Sequence, residues 1–147
     1  MTTTRRVFLQ VVGAGAGAMC VGGIGGCGPP PGPAGVGNVS DFAVGDVKQV
    51  EASSILVGRD AGGIYAMTAI CTHAGCDLSG VNGTIGADKH ITCGCHGSVY
   101  SADGTVISGP AGSPLQHWKT TVAADGNITV EVGTNATPED RVPVAAG

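Results

Sequence analysis

Two short segments rich in Cys, His and Gly hold most of the residues that could bind a metal or act as nucleophiles. The first box is residues 71–76, Cys-Thr-His-Ala-Gly-Cys, and the second box is residues 93–98, Cys-Gly-Cys-His-Gly-Ser. These twelve positions contain four of the six cysteines and two of the four histidines. The glycines allow tight turns that bring backbone close to a buried ion. Because each box places a Cys and a His two or three residues apart, the side chains of one loop can converge on a single centre.

The four cysteines of the boxes leave several chemistries open. Cysteines of an exported protein are expected to be disulfides or metal ligands, and four of them allow three full pairings, or two ligands plus one bridge. Two Cys and two His at one centre also form a structural zinc set, although that would leave Cys76 and Cys95 without a role. Thiol–disulfide chemistry at the Cys93-Gly94-Cys95 segment is a third possibility, and it would leave the histidines idle.

The composition describes a small domain that depends on cross-links. The chain has 147 residues, 27 of them Gly, and only 3% are aromatic, so a core must be small and aliphatic. Such a core relies on turns and on covalent or metal cross-links for rigidity. Residues 28–147 carry 5 Lys and Arg against 11 Asp and Glu, a net charge of −6. That charge gives no electrostatic basis for nucleic-acid binding.

The N-terminus has the form of an export signal. Arg5 and Arg6 are followed by Val-Phe-Leu, and residues 7–26 are uncharged and rich in Gly and Ala. Paired arginines ahead of such a stretch are typical of twin-arginine signals. We therefore expect residues 1–27 to direct export, and then to be cleaved, to stay as a membrane anchor or to be lipidated at Cys27. The expected location is the periplasmic side of the cytoplasmic membrane.

After a Pro- and Gly-rich linker over residues 28–38, the chain turns to short strands. Stretches of β-branched and apolar residues alternate with glycine-containing turns, and none shows a sustained 3.6-residue apolar period. This pattern predicts an all-β antiparallel sandwich or barrel over residues 39–133, followed by a mobile tail over residues 134–147. The predicted strands are residues 47–50, 55–59, 64–70, 89–92, 99–100, 105–107, 118–123 and 128–132.

At every ligand position the two boxes resemble those of the Rieske iron–sulfur family, Cys-x-His-x-x-Cys and Cys-x-Cys-His-x-x. The resemblance covers residues 39–132 and includes the Gly109-Pro110-Ala111 segment. It implies a Rieske-type antiparallel sandwich with a two-loop subdomain that binds a [2Fe–2S] cluster. It further implies that one iron is bound by Cys71 and Cys93, that the other is bound by His73 and His96, and that a disulfide joins Cys76 and Cys95.

Two hydroxyl residues imply a branch of the family. In high-potential members, the residues that match Ser98 and Tyr100 donate hydrogen bonds to a bridging sulfide and to a cysteine thiolate, which favours the reduced state. The extra cysteine pair is also typical of those members, and dioxygenase-type Rieske ferredoxins lack it. The chain therefore resembles the respiratory branch. Ala74 and Gly94 depart from the Leu and Pro usual there, and this weakens the inference of a cytochrome b partner and a quinol substrate.

The resemblance implies one-electron transfer, with no catalytic residue in this chain and any enzyme activity belonging to a complex. The expected partner is a cytochrome b or c of a quinol-oxidising complex, with quinol as the donor. The alternatives are a stand-alone exported carrier, and the small subunit of a molybdenum oxidase of the arsenite type that works with a molybdopterin subunit.

Overall fold

The computed structural model describes residues 32–50 and 53–144, and their regular structure is almost entirely β. The strands are β1 (Pro33–Asn38), β2 (Val47–Val50), β3 (Ile55–Asp60), β4 (Gly63–Thr68), β5 (Gly83–Ile85), β6 (Ile91–Cys93), β7 (Val99–Tyr100), β8 (Val106–Ser108), β9 (His117–Val122) and β10 (Asn127–Ala136). A single 3₁₀ turn, Val39–Asp41, follows β1. The all-β class predicted from the sequence is confirmed.

The strands form two antiparallel sheets. The larger has six strands in the order β1-β10-β9-β4-β3-β2, and the smaller has four strands in the order β5-β6-β7-β8. The smaller sheet is a meander of consecutive hairpins. The second box is the loop between β6 and β7. The first box follows β4, so each sheet delivers one box.

The central strands β3 and β4 are buried on both faces. In β3, Ile55 and Val57 point into a core formed within the large sheet, while Leu56 points into a second core. That second core also contains Cys71 of the first box, Cys93 and other buried residues of the small sheet. Successive strand residues face opposite sides, so this alternation lets two short strands serve both cores. Each fully buried aliphatic side chain contributes about 1.5–3 kcal/mol. The packing therefore fixes the boxes against the large sheet.

The described structure differs from the predicted segment boundaries at both ends. Strand β1 lies within the predicted linker, where it pairs with β10 as an edge strand and buries Val36. Residues 134–144, assigned to a tail, remain in contact with the domain: β10 continues to Ala136, and Val142 forms a bridge with Ile64. Both segments are held by partners distant in sequence, which local composition does not reveal.

The predicted export signal, residues 1–27, lies outside the described residues, as do residues 28–31 of the linker. Among residues 32–50 and 53–144, no helix has the length and apolarity needed to cross a membrane.

Candidate metal centre

The first box is a hairpin loop held at its base by an antiparallel bridge between Ile70 and Asp77. Two backbone hydrogen bonds close it: the Cys71 N–H donates to the Cys76 carbonyl at 2.8 Å, and the Gly75 N–H donates to the Cys71 carbonyl at 2.9 Å. Gly75 has φ +75°, a left-handed conformation that favours glycine. The loop therefore reverses the chain within six residues and starts from a buried cysteine.

The second box repeats this backbone. Its first residue, Cys93, donates from its N–H to the Ser98 carbonyl at 2.8 Å, and the Gly97 N–H donates to the Cys93 carbonyl at 2.9 Å. Gly97 has φ +76°, almost the same as Gly75 in the first box. The two boxes are thus equivalent loops, although the order of their Cys and His residues differs.

The cysteines of the boxes divide into one bridge and two thiols. A disulfide joins Cys76 to Cys95 and links the two loops. The free cysteines of the described chain are Cys71 and Cys93, which are 2% and 1% exposed. Cys93 lies close to the bridge, since the sulfur atoms of Cys76, Cys93 and Cys95 are all within 4.8 Å of one another. The bridged sulfurs are not thiolates, so the available sulfur ligands in the boxes are two buried thiols.

The histidines of the boxes lie together on the outside. His73 and His96 are both exposed, and their ring centroids are 4.8 Å apart with an angle of 84° between the rings. Each comes from the middle of its loop, whereas the thiols come from the start. The site therefore has sulfur on its inner side and imidazole on its outer side.

The Tyr100 hydroxyl lies against the inner thiol. Its oxygen is 3.2 Å from Cys71 Sγ and accepts a hydrogen bond of 3.1 Å from the Thr72 N–H. The Thr72 hydroxyl is 3.1 Å from the same oxygen and donates to the Ser113 carbonyl at 2.6 Å. With the Thr72 proton used elsewhere, the Tyr100 proton is free to point to Cys71 or to the Thr72 oxygen. Thr72 was not among the predicted site residues; its position between Cys71 and His73 is the one signal that could have identified it.

These contacts change the acidity of the buried groups. Burial alone raises the pKa of the Cys71 thiol, but hydrogen bonds from the Tyr100 hydroxyl, the His73 backbone, Cys93 and Ser98 outweigh it and hold that pKa below its ordinary value. The pKa of Tyr100 is raised, first by burial and then by its hydrogen bond to Cys71. The tyrosine therefore keeps its proton, while the cysteine is prepared to become a thiolate.

A third segment, residues 109–113, covers both boxes. The Ser98 hydroxyl is buried and accepts a hydrogen bond of 3.2 Å from the Ala111 N–H. Gly109 has φ +93°, and a Cβ built there would lie 2.6 Å from the Gly97 carbonyl oxygen. Close approach of this segment to the second box therefore requires glycine at position 109. Since Ser113 also accepts from Thr72, the segment is hydrogen-bonded to both loops.

The other two histidines lie outside this centre. His90 is half-buried and pairs with Asp88 through Nδ1 at 2.9 Å. His117 is 2% exposed, and its Nε2 lies 2.8 Å from the Asp103 carbonyl oxygen. Neither residue is in a box, and His117, at the start of β9, is part of the buried interior.

Comparison with known proteins identifies the class. A model of the Rieske [2Fe–2S] domain matches residues 33–119. The cytochrome b6-f complex iron–sulfur subunit of Chlorobaculum tepidum is 38% identical over 99 residues, which is 66% of this chain and 52% of that protein. The subunit of the same name from Gloeobacter violaceus is 46% identical over 61 residues, 42% of this chain and 31% of that protein.

A solved structure agrees with these sequence matches. A complex of reduced oxygenase and oxidized ferredoxin in carbazole 1,9a-dioxygenase contains a chain with 28% identity and a TM-score of 0.51, with 71% of this chain and 96% of that chain covered. The chain belongs to the Rieske [2Fe–2S] domain family. It is an electron-transfer protein homologous to the iron–sulfur subunits of cytochrome b6-f complexes, and it spans about half the length of the C. tepidum relative.

A Rieske domain binds a [2Fe–2S] cluster, and the residues of this chain fit one. Such a cluster needs deprotonated sulfur on one side and neutral imidazole on the other. The two boxes supply two free, buried thiols, one of them with a lowered pKa, and two adjacent exposed imidazoles. The disulfide and the covering segment hold both loops together around this set.

Proposed function

We propose that Cys71 and Cys93 bind one iron of the cluster and that His73 and His96 bind the other. The observation that carries this assignment is the separation of the two residue types: the thiols are buried at the base of equivalent loops, and the imidazoles are side by side at the exposed ends. A zinc site made from the same four residues is the alternative, and the match to the Rieske [2Fe–2S] domain over residues 33–119 favours the cluster.

In this assignment the bound cluster supplies one-electron transfer, at potentials of about −150 to +300 mV for Rieske centres. The Tyr100 hydroxyl, by donating to Cys71, stabilises negative charge on the sulfur and so favours the reduced state. The Ser98 hydroxyl oxygen accepts a hydrogen bond from the Ala111 N–H, so the hydroxyl proton of Ser98 is free to point toward the sulfur atoms of the site. These two buried hydroxyls therefore tune the potential upward.

The exposed histidines are the contact point for a partner. Each imidazole has two ring nitrogens, so a histidine that binds metal through one can present an N–H to a partner from the other. His73 and His96 would in that case pass the electron and carry the accompanying proton at the same surface. Ala74 and Pro110 are also exposed, and the segments 71–76, 93–98 and 109–113 contain no Asp, Glu, Lys or Arg.

We further propose that the chain works on the outer face of a bacterial membrane, as the Rieske subunit of a quinol-oxidising complex. The homology to cytochrome b6-f subunits supports this, as does the disulfide, because disulfides persist in oxidising compartments. The paired arginines and the apolar stretch after them support export and attachment to the membrane. The disulfide also argues against the dioxygenase-type ferredoxins, whose family pattern lacks that cysteine pair.

The test of the ligand assignment is a spectroscopic measurement on the full-length exported protein. We expect about two iron and two sulfide per chain, a rhombic EPR signal on reduction, and two nitrogen couplings from the coordinated imidazoles. Single variants His73→Ala and His96→Ala should lose the signal, whereas His90→Ala, a histidine outside the boxes, should keep it. A colourless protein with one zinc, or a signal without nitrogen coupling, would contradict the assignment.

Purification from membranes of the native host tests the proposed complex. Co-purification with a cytochrome b, together with reduction of the cluster by a quinol, would support the quinol-oxidising assignment. Co-purification with a molybdopterin subunit, or isolation as a free exported carrier, would contradict it while leaving the ligand assignment intact.

A further inference from the structure

The sulfur atoms of Cys76, Cys93 and Cys95 form a compact group within the two boxes. All three lie within 4.8 Å of one another; two are bonded as a disulfide, and Cys93 is a free thiol. Thiol–disulfide exchange proceeds by attack of a thiolate on a disulfide sulfur. A disulfide bond is about 2.0 Å long, so the attack requires the cysteine side chains to change rotamer. The structure thus holds a nucleophile next to the bond that it could break.

We propose that loss of the cluster lets Cys93 attack this disulfide. In the exchange, a bond forms between Cys93 Sγ and Cys76 Sγ, the Cys76–Cys95 bond breaks, and Cys95 leaves as a thiolate. One thiolate is consumed and one is released, so the step needs no oxidant or reductant. The inference rests on the proposed function in one respect, that the bound cluster occupies Cys93 and prevents the attack.

Two features of the group select Cys76 as the atom attacked. A bridge from Cys93 to Cys95 would have to close across the single residue Gly94, whereas Cys76 lies on the other loop and its bridge to Cys93 keeps the two boxes joined. Cys95 is exposed and Cys76 is half-buried, so water stabilises the Cys95 thiolate better as a leaving group.

The exchanged form would be a cluster-free state. Cys93 is then part of a disulfide and is no longer available as a ligand, while the former bridge residue Cys95 becomes an exposed thiol. Rebuilding the cluster would require iron, sulfide and the reverse exchange, in which the Cys95 thiolate attacks Cys76 and releases Cys93. The position of the disulfide therefore reports whether the cluster has been lost, in addition to its role in joining the loops.

Disulfide mapping of the full-length holoprotein tests the exchange. The cluster is removed anaerobically with a chelator, and the protein is then quenched in acid, alkylated and digested with trypsin. Cleavage after Arg59, Lys89 and Lys119 places Cys71 and Cys76 on one peptide and Cys93 and Cys95 on another. Because both pairings link the same two peptides, fragment ions on either side of Gly94 must locate the label.

We expect the alkyl label on the second peptide to be on Cys95 in most chains after cluster removal, with Cys93 in the bridge. Label confined to Cys93, with Cys76–Cys95 retained, would overturn the proposal. Iron and sulfide are measured in the starting protein. Their absence would count against the proposed function, while the position of the label still decides the exchange.

Two variants that each lack one proposed thiolate ligand provide a matched control. Cys71→Ser keeps the three-sulfur group, so it should carry the label on Cys95 without any chelator treatment. Cys93→Ser lacks the nucleophile, so it should retain the Cys76–Cys95 bridge and show no label there. Circular dichroism shows whether both variants are folded. If either is unfolded, the position of the label in the chelator-treated parent protein decides the proposal. Equal labelling of Cys95 in both folded variants would refute attack by Cys93.

Discussion

Removing the hydroxyl of Tyr100 should lower the midpoint potential of the cluster. The hydroxyl oxygen lies 3.2 Å from Cys71 Sγ, and the side chain is 0% exposed, so no water can replace the hydrogen bond. A hydrogen bond to a charged group contributes about 1.5–3 kcal/mol, of which only the difference between the two oxidation states changes the potential. We take that difference as about 1 kcal/mol, which is about 40 mV for one electron, since 59 mV corresponds to about 1.4 kcal/mol.

The same substitution also affects stability, and the two effects can be separated. In Tyr100→Phe the Thr72 N–H loses its acceptor, which should cost about 1–3 kcal/mol of unfolding free energy. Tyr65→Phe is the matched control: Tyr65 is also buried, but its hydroxyl donates to the Ala102 carbonyl at 2.9 Å. It should lower stability and leave the potential unchanged.

The assay is an EPR- or circular-dichroism-monitored redox titration of the purified holoproteins at equal cluster content. We expect the midpoint potential of Tyr100→Phe to lie tens of millivolts below the parent value and that of Tyr65→Phe to equal the parent value. An unchanged potential in Tyr100→Phe would refute the tuning role of the hydrogen bond. An equal fall in both variants would show that the potential responds to general loosening of the core.

Three further outcomes are expected. Gly109→Ala should lower the unfolding free energy by about 1–3 kcal/mol in a denaturant titration, because Gly109 has a positive φ and an added Cβ would collide with the second box. Gly112→Ala is the control: there is open space around Gly112, so its unfolding free energy should stay near the parent value. Burial lowers the pKa of His117, so the unfolded chain binds more protons than the folded one, and the unfolding free energy should fall as pH drops below about 6.5. The His117→Phe variant should lack this pH dependence. The same pH dependence in both proteins would exclude His117 as its cause. The double variant Cys76→Ala/Cys95→Ala removes a disulfide between residues 19 apart, which should lower the unfolding free energy by about 3 kcal/mol and speed the loss of the cluster's visible absorbance. Loss of absorbance at the parent rate would show that the disulfide does not retain the cluster.

The sequence predicted those features that depend on residue type or on local pattern. Candidate ligands can be proposed from Cys and His spacing because these are the residue types that hold iron–sulfur clusters, and the central strands can be recognised from their β-branched and apolar residues. The predicted strand at 47–50 has the same bounds as β2, and the hairpin of β3 and β4 was also placed correctly. The family resemblance supplied the Cys76–Cys95 pairing, which spacing alone left open among three.

What the sequence did not reveal depends on contacts between distant residues. Strand β1 is rich in Pro and Gly and becomes a strand only because β10 offers it an edge. Arg141 fixes the C-terminal segment by stacking over the Tyr65 ring at 4.0 Å, a contact between residues 76 positions apart. Thr72 gains its role from contacts with Tyr100 and Ser113, which lie 28 and 41 residues further along the chain.

The inside–outside order of the site follows from the backbone of the boxes. Both loops use the same two hydrogen bonds and the same left-handed glycine, so equivalent positions have equivalent environments. The first position of each loop either follows the bridge residue Ile70 or ends strand β6, and it is occupied by a thiol that is at most 2% exposed. The middle positions lie at the turn and hold the imidazoles in solvent. Burial of the two free thiols is therefore a property of their position in the hairpin, and exchanging a Cys for a His at the first position would place a large polar ring in a packed core.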